Sequence, residues 1–330
     1  MTALETPPTT RVQKATGLAA ALLCGAGVAA QARINGELGA RLHDGVAAAV
    51  ISFGSGFLIL VFAAATVPSM RRGLRRVRTA VGKGELRWWQ LLGGVCGALL
   101  VMSQGVTVAT LGVAVFSVAL VAGQSASSLA VDRLGVGPTG RHPLSANRVV
   151  GAALTVVAVL VAVADRLGHP AMLALALLPA IAGVGTSWQA AVNGLVREYA
   201  GAALPPAFVN FAAGTAALVV AFAAEVMIRG WPTGSLPREP WLYLGGCIGV
   251  AFIAVAASVV RRTGVLLLSL GTIAGQVVTA TLIDIAVPGR HATPSAMTLL
   301  GVGLTLVAVI LAALPLDRHN VRKVVASGRS

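Results

Sequence analysis

Long apolar segments alternate with short polar ones along the whole of this 330-residue chain. A membrane-spanning helix needs about twenty mostly apolar residues to cross about 30 Å of hydrocarbon. Ten segments meet that criterion, and clusters of Pro, Gly and Arg separate them. The pattern therefore predicts an all-α membrane protein with ten transmembrane helices. The predicted spans are residues 16–36, 46–68, 88–109, 111–131, 146–165, 171–193, 205–228, 240–260, 264–284 and 295–314.

The two halves of the chain carry the same motifs. Residues 27–36, GVAAQARING, match residues 185–194, GTSWQAAVNG, and in both copies Gly, Gln and Asn recur every four residues. The chain is therefore predicted to be a duplicated membrane protein with five spans in each copy. The other matched positions are Phe53 and Gly56 with Phe211 and Gly214; Trp89, Gly93, Gly94 and Gly97 with Trp241, Gly245, Gly246 and Gly249; and Gly112, Ser117, Gly123, Gln124 and Asp132 with Gly264, Ser269, Gly275, Gln276 and Asp284.

The positions of Lys and Arg predict the orientation in the membrane. A cytoplasmic N-terminus puts 19 of the 25 basic residues on the cytoplasmic side, so both termini are expected there. An odd number of spans per copy makes the copies insert upside down relative to each other. Inverted-topology repeats are a transporter architecture, with the substrate site near the midplane at the repeat interface. The predicted division is a cytoplasmic tail at 1–15, a first repeat at 16–167, a second, inverted repeat at 168–315 and a basic cytoplasmic tail at 316–330.

Composition narrows the class of protein. The chain is 56% hydrophobic and only 11% charged, so it has too little polar surface for a soluble globule of this size, and it belongs in a lipid bilayer. Its formal net charge of +14 would be compatible with nucleic acid, but the arginines occur in short loops between apolar segments. No basic stripe interleaved with aromatic residues is present, which argues against a nucleic-acid partner.

The shared motifs resemble those of a known family. They are the Gln-x-x-x-Asn pair after a Gly-rich first helix, the Phe-x-x-Gly of the second, the Trp followed by Gly-Gly-x-x-Gly of the third, and the Gly-Gln of the fourth. Together they are similar to the YdcZ-like branch of the drug/metabolite transporter superfamily. Short members of that branch have five helices, and this chain resembles a fused tandem of two. The resemblance implies a multi-pass protein of the bacterial inner membrane that exports small molecules, and it implies no firm substrate.

Gln124 and Gln276 are the first candidates for substrate contact. Each lies close to the middle of its predicted span and follows a glycine. An amide at that depth costs several kcal/mol if it stays unpaired, so it must face a partner helix, water or ligand. In an inverted repeat the two would converge near the repeat axis. Packing between helices is the alternative role.

The repeated Gln and Asn residues form two further candidate surfaces. Residues four apart are neighbours on one helical face, so Gln31 with Asn35 and Gln189 with Asn193 are expected to line the substrate path near opposite mouths. Hydrogen bonding between helices, worth about 0.6 kcal/mol on average in a membrane, is an equally good explanation. Trp188 could form the wall of a pocket beside Gln189, or it could simply face lipid.

The sequence favours a binding protein over an enzyme. It contains no nucleotide-binding loop, zinc-protease pattern or nucleophile elbow, and its cysteines have no metal-ligand spacing. No catalytic residue, cofactor or metal site is therefore predicted. No carboxylate lies at the centre of a predicted span, which leaves proton-coupled export of cations without an obvious titratable acid.

The sequence therefore predicts a secondary-active exporter of a small polar or amphipathic solute that works by alternating access. Its expected partners are the lipid bilayer and the solute, and it would act as a monomer of fused repeats or as a homodimer. Two other functions remain open, a non-transporting membrane scaffold or accessory subunit and a lipid-carrier translocase.

Overall fold

The computed structural model describes residues 11–138, 140–141, 145–166, 170–287 and 293–313, and within them every regular element is helical. Short 3-10 turns occupy Trp88–Leu92, Ala164–Arg166 and Pro240–Tyr243. The helices are α1 (Arg11–Leu42), α2 (Gly45–Thr66), α3 (Pro68–Gly82), α4 (Gly93–Leu111), α5 (Val113–Leu134), α6 (Ala146–Ala162), α7 (Pro170–Ala200), α8 (Leu204–Arg229), α9 (Gly245–Ala286) and α10 (Ala296–Ala313). The predicted cytoplasmic tails at 1–15 and 316–330 lie almost entirely outside the described residues.

Seven helices within the described residues are long and apolar enough to cross a membrane. Two more apolar helices, α6 and α10, fall just short of that length.

Local contacts determine where several helices begin or end. The Asp44 carboxylate accepts a hydrogen bond from the Ala47 backbone N–H at 2.8 Å and so caps the start of α2. Gly112, at φ +85°, separates α4 from α5 in a conformation that favours glycine.

Helix α3 occupies most of a stretch, residues 69–87, for which the apolar pattern predicts only a basic loop. Its apolar and small residues recur at helical spacing and are buried against the rest of the protein, whereas its arginines are exposed. A span criterion misses such a helix because its mean hydropathy is low even though one face is apolar. The buried positions are Met70, Gly73, Val77 and Ala80.

Helix α9 covers the predicted eighth and ninth spans in one run of 42 residues. Gly245 lies beside Asn35 of α1, and Ala280 shares a buried cluster with Ala29 of the same helix. In a straight helix the 35 residues from Gly245 to Ala280 would extend about 52 Å, whereas Ala29 and Asn35 are about 9 Å apart along α1. The α9 segment therefore folds back on itself, and its two arms correspond to the two predicted spans.

The two halves of the chain pack against each other through equivalent contacts. Gly94 lies against the Asn210 carbonyl, where an added Cβ would come within 1.8 Å. The matched position Gly246 lies in the same way against the Ser52 carbonyl, at 2.1 Å. Glycine is required at both positions because a backbone from the other half occupies the place of a side chain.

A glycine packed against a backbone carbonyl recurs at two other helix pairs, again at matched positions. Gly25 of α1 lies against the Thr272 carbonyl of α9, and the matched Gly183 of α7 lies against the Leu120 carbonyl of α5. At the edge of the bundle, Gly151 near the start of α6 faces Ala308 and Ala312 of α10. Gly301 near the start of α10 faces Ala158 and Ala162 of α6, so these two helices run antiparallel.

Candidate functional site

Two phenylalanine rings lie where the halves meet. Phe53 of α2 and Phe211 of α8 are matched positions of the repeat, and their rings stack with centroids 4.7 Å apart. Gly97 lies beside Phe53 and Gln189, while Gly249 lies beside Phe211 and Gln31. The two repeated glutamines therefore flank one aromatic pair from the two halves.

The first group of amides, here the α1 amide cluster, consists of Gln31, Asn35, Gln104 and Ser52. Gln31 Nε2 donates to the Gly245 carbonyl at 3.0 Å, and Asn35 Nδ2 donates to Gln104 Oε1 at 2.7 Å. All four side chains are buried, and those of Asn35 and Gln104 have no exposed surface at all. The predicted pair of Gln31 and Asn35 is thus brought together, but its environment is a closed helix interface.

Three polar atoms of the α1 amide cluster lack a hydrogen-bond partner. They are Asn35 Oδ1, Gln104 Nε2 and Ser52 Oγ, an acceptor, a donor and a hydroxyl. A Cβ added at Gly245 would lie 2.3 Å from Asn35 Oδ1 and 2.7 Å from Ser52 Oγ, so these two atoms are close to each other. Each buried polar atom left without a partner costs about 1–3 kcal/mol. These atoms are therefore available to a further hydrogen-bond partner.

The second group, the α7 amide cluster, consists of Gln189, Asn193 and Asn210. Gln189 Nε2 donates to Asn210 Oδ1 at 2.8 Å, and Asn193 Nδ2 donates to the same oxygen at 3.2 Å. Asn210 is buried, whereas Gln189 and Asn193 are half-buried. The predicted pair is again brought together, and here its side chains are less buried than those of the α1 amide cluster.

The two glutamines predicted at the midplane have different surroundings. Gln124 Nε2 donates to Thr186 Oγ1 at 3.1 Å, and the Ser187 hydroxyl donates to the Gln124 backbone carbonyl at 2.9 Å. Gln276 is 3% exposed and its Nε2 has no partner. Within the described part of the chain no hydrogen bond joins Gln124 to Gln276. Gln124 packs on α7, whereas the backbone of Gln276 lies against α1 at Gly25.

Trp188 is neither fully buried nor isolated in lipid. Its ring stacks on that of Trp89 with centroids 6.3 Å apart and an interplanar angle of 22°. Trp188 is half-buried and follows Ser187, whose hydroxyl bonds to Gln124. The observed contact of the Trp188 ring is therefore with Trp89 at the start of the predicted third span.

Comparison of the two halves of the sequence does not identify three polar residues of these clusters. Gln104 and Ser52 belong to the α1 amide cluster and Asn210 to the α7 amide cluster, yet none is the same residue type in both halves. The available signal was a polar side chain inside an apolar span, since a buried amide in a membrane needs a partner. Ser52 and Asn210 occupy matched positions, 158 residues apart, with different side chains.

The ion pairs among the described residues lie toward helix ends. At the end of α1, Glu37 pairs with Arg41 at 2.9 Å and with Arg33 at 3.8 Å. Asp284 accepts the backbone N–H groups of Val113 and Ala114 and so caps the start of α5. Among the described residues no group of three His, Cys, Asp or Glu side chains could hold a metal ion. The buried polar side chains of the described residues are uncharged amides and hydroxyls.

Comparison with known proteins agrees with this architecture. One solved structure, described as "Crystal structure of protein", matches with a TM-score of 0.54 and 16% sequence identity over 94% of this chain and 100% of that chain, a likeness of fold alone. The comparison with curated proteins found no match. The family model described as "Putative inner membrane exporter, YdcZ" matches residues 16–161 and 174–311, one segment in each half. This match indicates an inner-membrane protein and a transporter rather than an enzyme. The chain therefore belongs to the YdcZ family of inner-membrane exporters.

Proposed function

We propose that the chain is a secondary-active transporter that exports a small polar or amphipathic solute by alternating access. Its ten spans form two inverted repeats, 16–167 and 168–315, with both termini in the cytoplasm. The antiparallel packing of the matched helices α6 and α10 supports the inversion. Two copies related by an axis along the membrane normal would run parallel, whereas an axis in the membrane plane makes them antiparallel.

The observation that carries the proposal is the unequal state of two equivalent amide clusters. The α1 amide cluster is buried and partly unpaired, while in the α7 amide cluster Gln189 and Asn193 are half-buried and joined through Asn210. In an alternating-access cycle one mouth closes as the other opens. With a cytoplasmic N-terminus, the end of α1 lies at the outer face. The protein is then closed to the outside and open toward the cytoplasm, the state in which an exporter takes up its solute.

Gln124 and Gln276 hold the solute in this mechanism, and the two amide clusters act as gates. The unpaired Nε2 of Gln276 supports this role because a buried amide donor without a partner favours binding of an acceptor. The solute class follows from the groups present, since amides and hydroxyls recognise neutral hydrogen-bonding groups and the aromatic residues accept apolar surface. Trp188 lines the path beside Gln124.

The proposal is tested by reconstituting the purified protein in liposomes and following solute fluxes across a panel under imposed pH and voltage gradients. Gln124→Leu and Gln276→Leu are expected to reduce the flux of any transported solute by at least about tenfold, the equivalent of one lost hydrogen bond of about 1.4 kcal/mol. Both variants should still insert and purify as the native chain does. Ser127→Ala, in the same helix as Gln124, is the matched control and should retain the native flux.

Two results would count against the proposal. If Gln124→Leu and Gln276→Leu both transport normally, these glutamines have a packing role and the solute binds elsewhere. If no solute in a broad panel moves under any gradient, a scaffold or accessory subunit becomes the better explanation.

A further inference from the structure

Helix α3 presents two faces of different chemistry. One face carries Val77 and Ala80, which pack in a buried cluster with Val196 and Ala200 of α7. Gly73 on the same face lies against Pro205 at the start of α8. The protein itself therefore covers the apolar face of α3, and that face is not available to a partner.

The opposite face of α3 carries five exposed arginines. Arg71 donates to the Ala65 carbonyl at 3.2 Å and so satisfies the end of α2. The remaining arginines have no carboxylate partner among the ion pairs of the described residues. A surface of this charge without internal neutralisation favours an anionic partner. The five residues are Arg71, Arg72, Arg75, Arg76 and Arg78.

The position of α3 restricts what that partner can be. The helix begins two residues after Thr66, where α2 ends, so it lies at the level of a membrane surface. Trp88, six residues beyond the end of α3, is 69% exposed, and exposed tryptophan is typical of the interface between hydrocarbon and water. Anionic groups are concentrated at this depth as the phosphodiesters of phospholipid head groups.

We propose that the arginine face of α3 binds anionic phospholipid head groups, and that this lipid contact stabilises the junction between α7 and α8. The phosphodiester accepts hydrogen bonds from guanidinium groups, which are suited to bidentate contact with phosphate. The contact reaches the interior because α3 packs on the end of α7, two turns beyond Asn193 of the α7 amide cluster. The inference does not depend on which solute is transported or on the orientation of the chain.

The test measures binding of phosphatidylglycerol to the full-length protein in a neutral detergent. The test variant replaces Arg72, Arg75 and Arg78 with Gln, leaving Arg71 and its bond to α2 intact. The expected result is about a hundredfold weaker phosphatidylglycerol binding, from a factor of about five for each arginine near an anionic surface. The control variant replaces Arg133, Arg229 and Arg238 with Gln. It changes the net charge equally at other exposed positions and should bind as the native chain does.

Further arms distinguish the possible sources of binding. Phosphatidylcholine and inorganic phosphate should each bind far more weakly than phosphatidylglycerol, and raising the salt from about 0.1 M to 1 M should weaken binding because the Debye length falls to about 3 Å. A charge-conserving variant with Lys at the same three positions should bind more tightly than the Gln variant and more weakly than the native chain, because it keeps the charge and loses the bidentate contact, and it also shows that the helix tolerates substitution. Equal phosphatidylglycerol binding by the native and Gln variants would overturn the proposal, as would inorganic phosphate binding as tightly as the lipid.

Discussion

The α1 and α7 amide clusters come from the same repeated motif but have different hydrogen-bond partners. In the α1 amide cluster Asn35 bonds to Gln104 on α4, and both side chains are fully buried. In the α7 amide cluster Asn193 donates a hydrogen bond to Asn210 on α8, and its side chain is half-buried. Equivalent positions in two copies of one fold have thus reached different states.

The neighbouring backbones explain the difference. Past Asn35, α1 lies directly on α4, where a Cβ at Gly39 would come within 2.2 Å of the Gly105 carbonyl. Past Asn193, by contrast, Gly194 lies beside Pro138, which follows α5. The repeat thus supplies the same amides in both halves, and the contacts that follow them differ between the halves.

The largest effect is expected from substitution of Gly94 and Gly246, the two glycines that pack against a backbone carbonyl of the other half. Gly94→Ala and Gly246→Ala should each destabilise the protein by about 3 kcal/mol or more, because the new methyl group meets a backbone carbonyl that cannot rotate away. Thermal unfolding in detergent measures the loss. Gly54→Ala is the control, since nothing lies within 4 Å of its Cβ. A large loss at Gly94 with none at Gly246 would show that the halves do not interlock equivalently.

The hydrogen-bond partners of the clusters give the next largest effect. Asn210→Leu removes the acceptor of both Gln189 and Asn193 and should cost about 1–3 kcal/mol. The double change Asn35→Leu with Gln104→Met removes a donor–acceptor pair together with its unpaired atoms. This double change should leave the free energy of unfolding nearly unchanged, because replacing both partners by apolar groups of similar shape leaves no buried polar atom of the pair without a partner.

The same unfolding measurement shows whether the double variant is as stable as the native chain or less stable. A clear loss of stability in the Asn35→Leu, Gln104→Met double variant would mean that the unpaired atoms of the α1 amide cluster are satisfied by water in the membrane. The two clusters would then be more alike than their hydrogen bonds indicate.

Much of this architecture can be predicted from the sequence. Among the helices that the structure describes, the apolar pattern locates the nine that coincide with predicted spans. The motif Gly-x-x-x-Gln-x-x-x-Asn identifies both amide pairs because residues four apart share a helical face. The repeat also marks Gly94 and Gly246 as matched positions, although their close contacts with the other half are seen only in the structure. These features depend on local periodicity, which the sequence records directly.

The remaining features depend on contacts between distant segments. Gln104 joins the α1 amide cluster, but its matched position in the second half is Ala256, so repetition does not mark it. Convergence of Gln124 with Gln276 stays a prediction from symmetry, while the hydrogen bond from Gln124 to Thr186 on α7 is a long-range contact that the repeat does not record. Helix α3 is missed because a polar face of arginines lowers its mean hydropathy while its apolar face is buried.

Chemical labelling of introduced cysteines compares the accessibility of the two amide clusters independently of the stability of the protein. In a background with Cys24, Cys96 and Cys247 replaced by Ala, Asn193→Cys should react with a membrane-impermeant maleimide at least about tenfold faster than Asn35→Cys, which needs local opening before it can react. Labelling of Asn193→Cys from the cytoplasmic side alone would agree with the proposed orientation. Faster labelling of Asn35→Cys would place the open mouth at the other end, and labelling of Asn193→Cys from outside would reverse the topology.

The smallest effect is expected at Glu225, which lies near the end of α8 away from both clusters. Its carboxylate is 3.4 Å from Arg229; the Arg229 side chain is 78% exposed and that of Glu225 is 23% exposed, with Oε2 buried and without a partner among the described residues. A pair whose cation is this exposed is worth about 0–1 kcal/mol. Glu225→Gln should therefore change the unfolding temperature and the solute flux only slightly, and the dependence of flux on an imposed pH gradient should stay as in the native chain. Arg229→Gln breaks the same pair from its other side and is the control. Loss of pH-driven flux in Glu225→Gln alone, with Gln124→Leu and Gln276→Leu still active, would make this carboxylate the coupling group. The solute site would then lie near this end of α8, and the difference between the two amide clusters would concern packing and not gating.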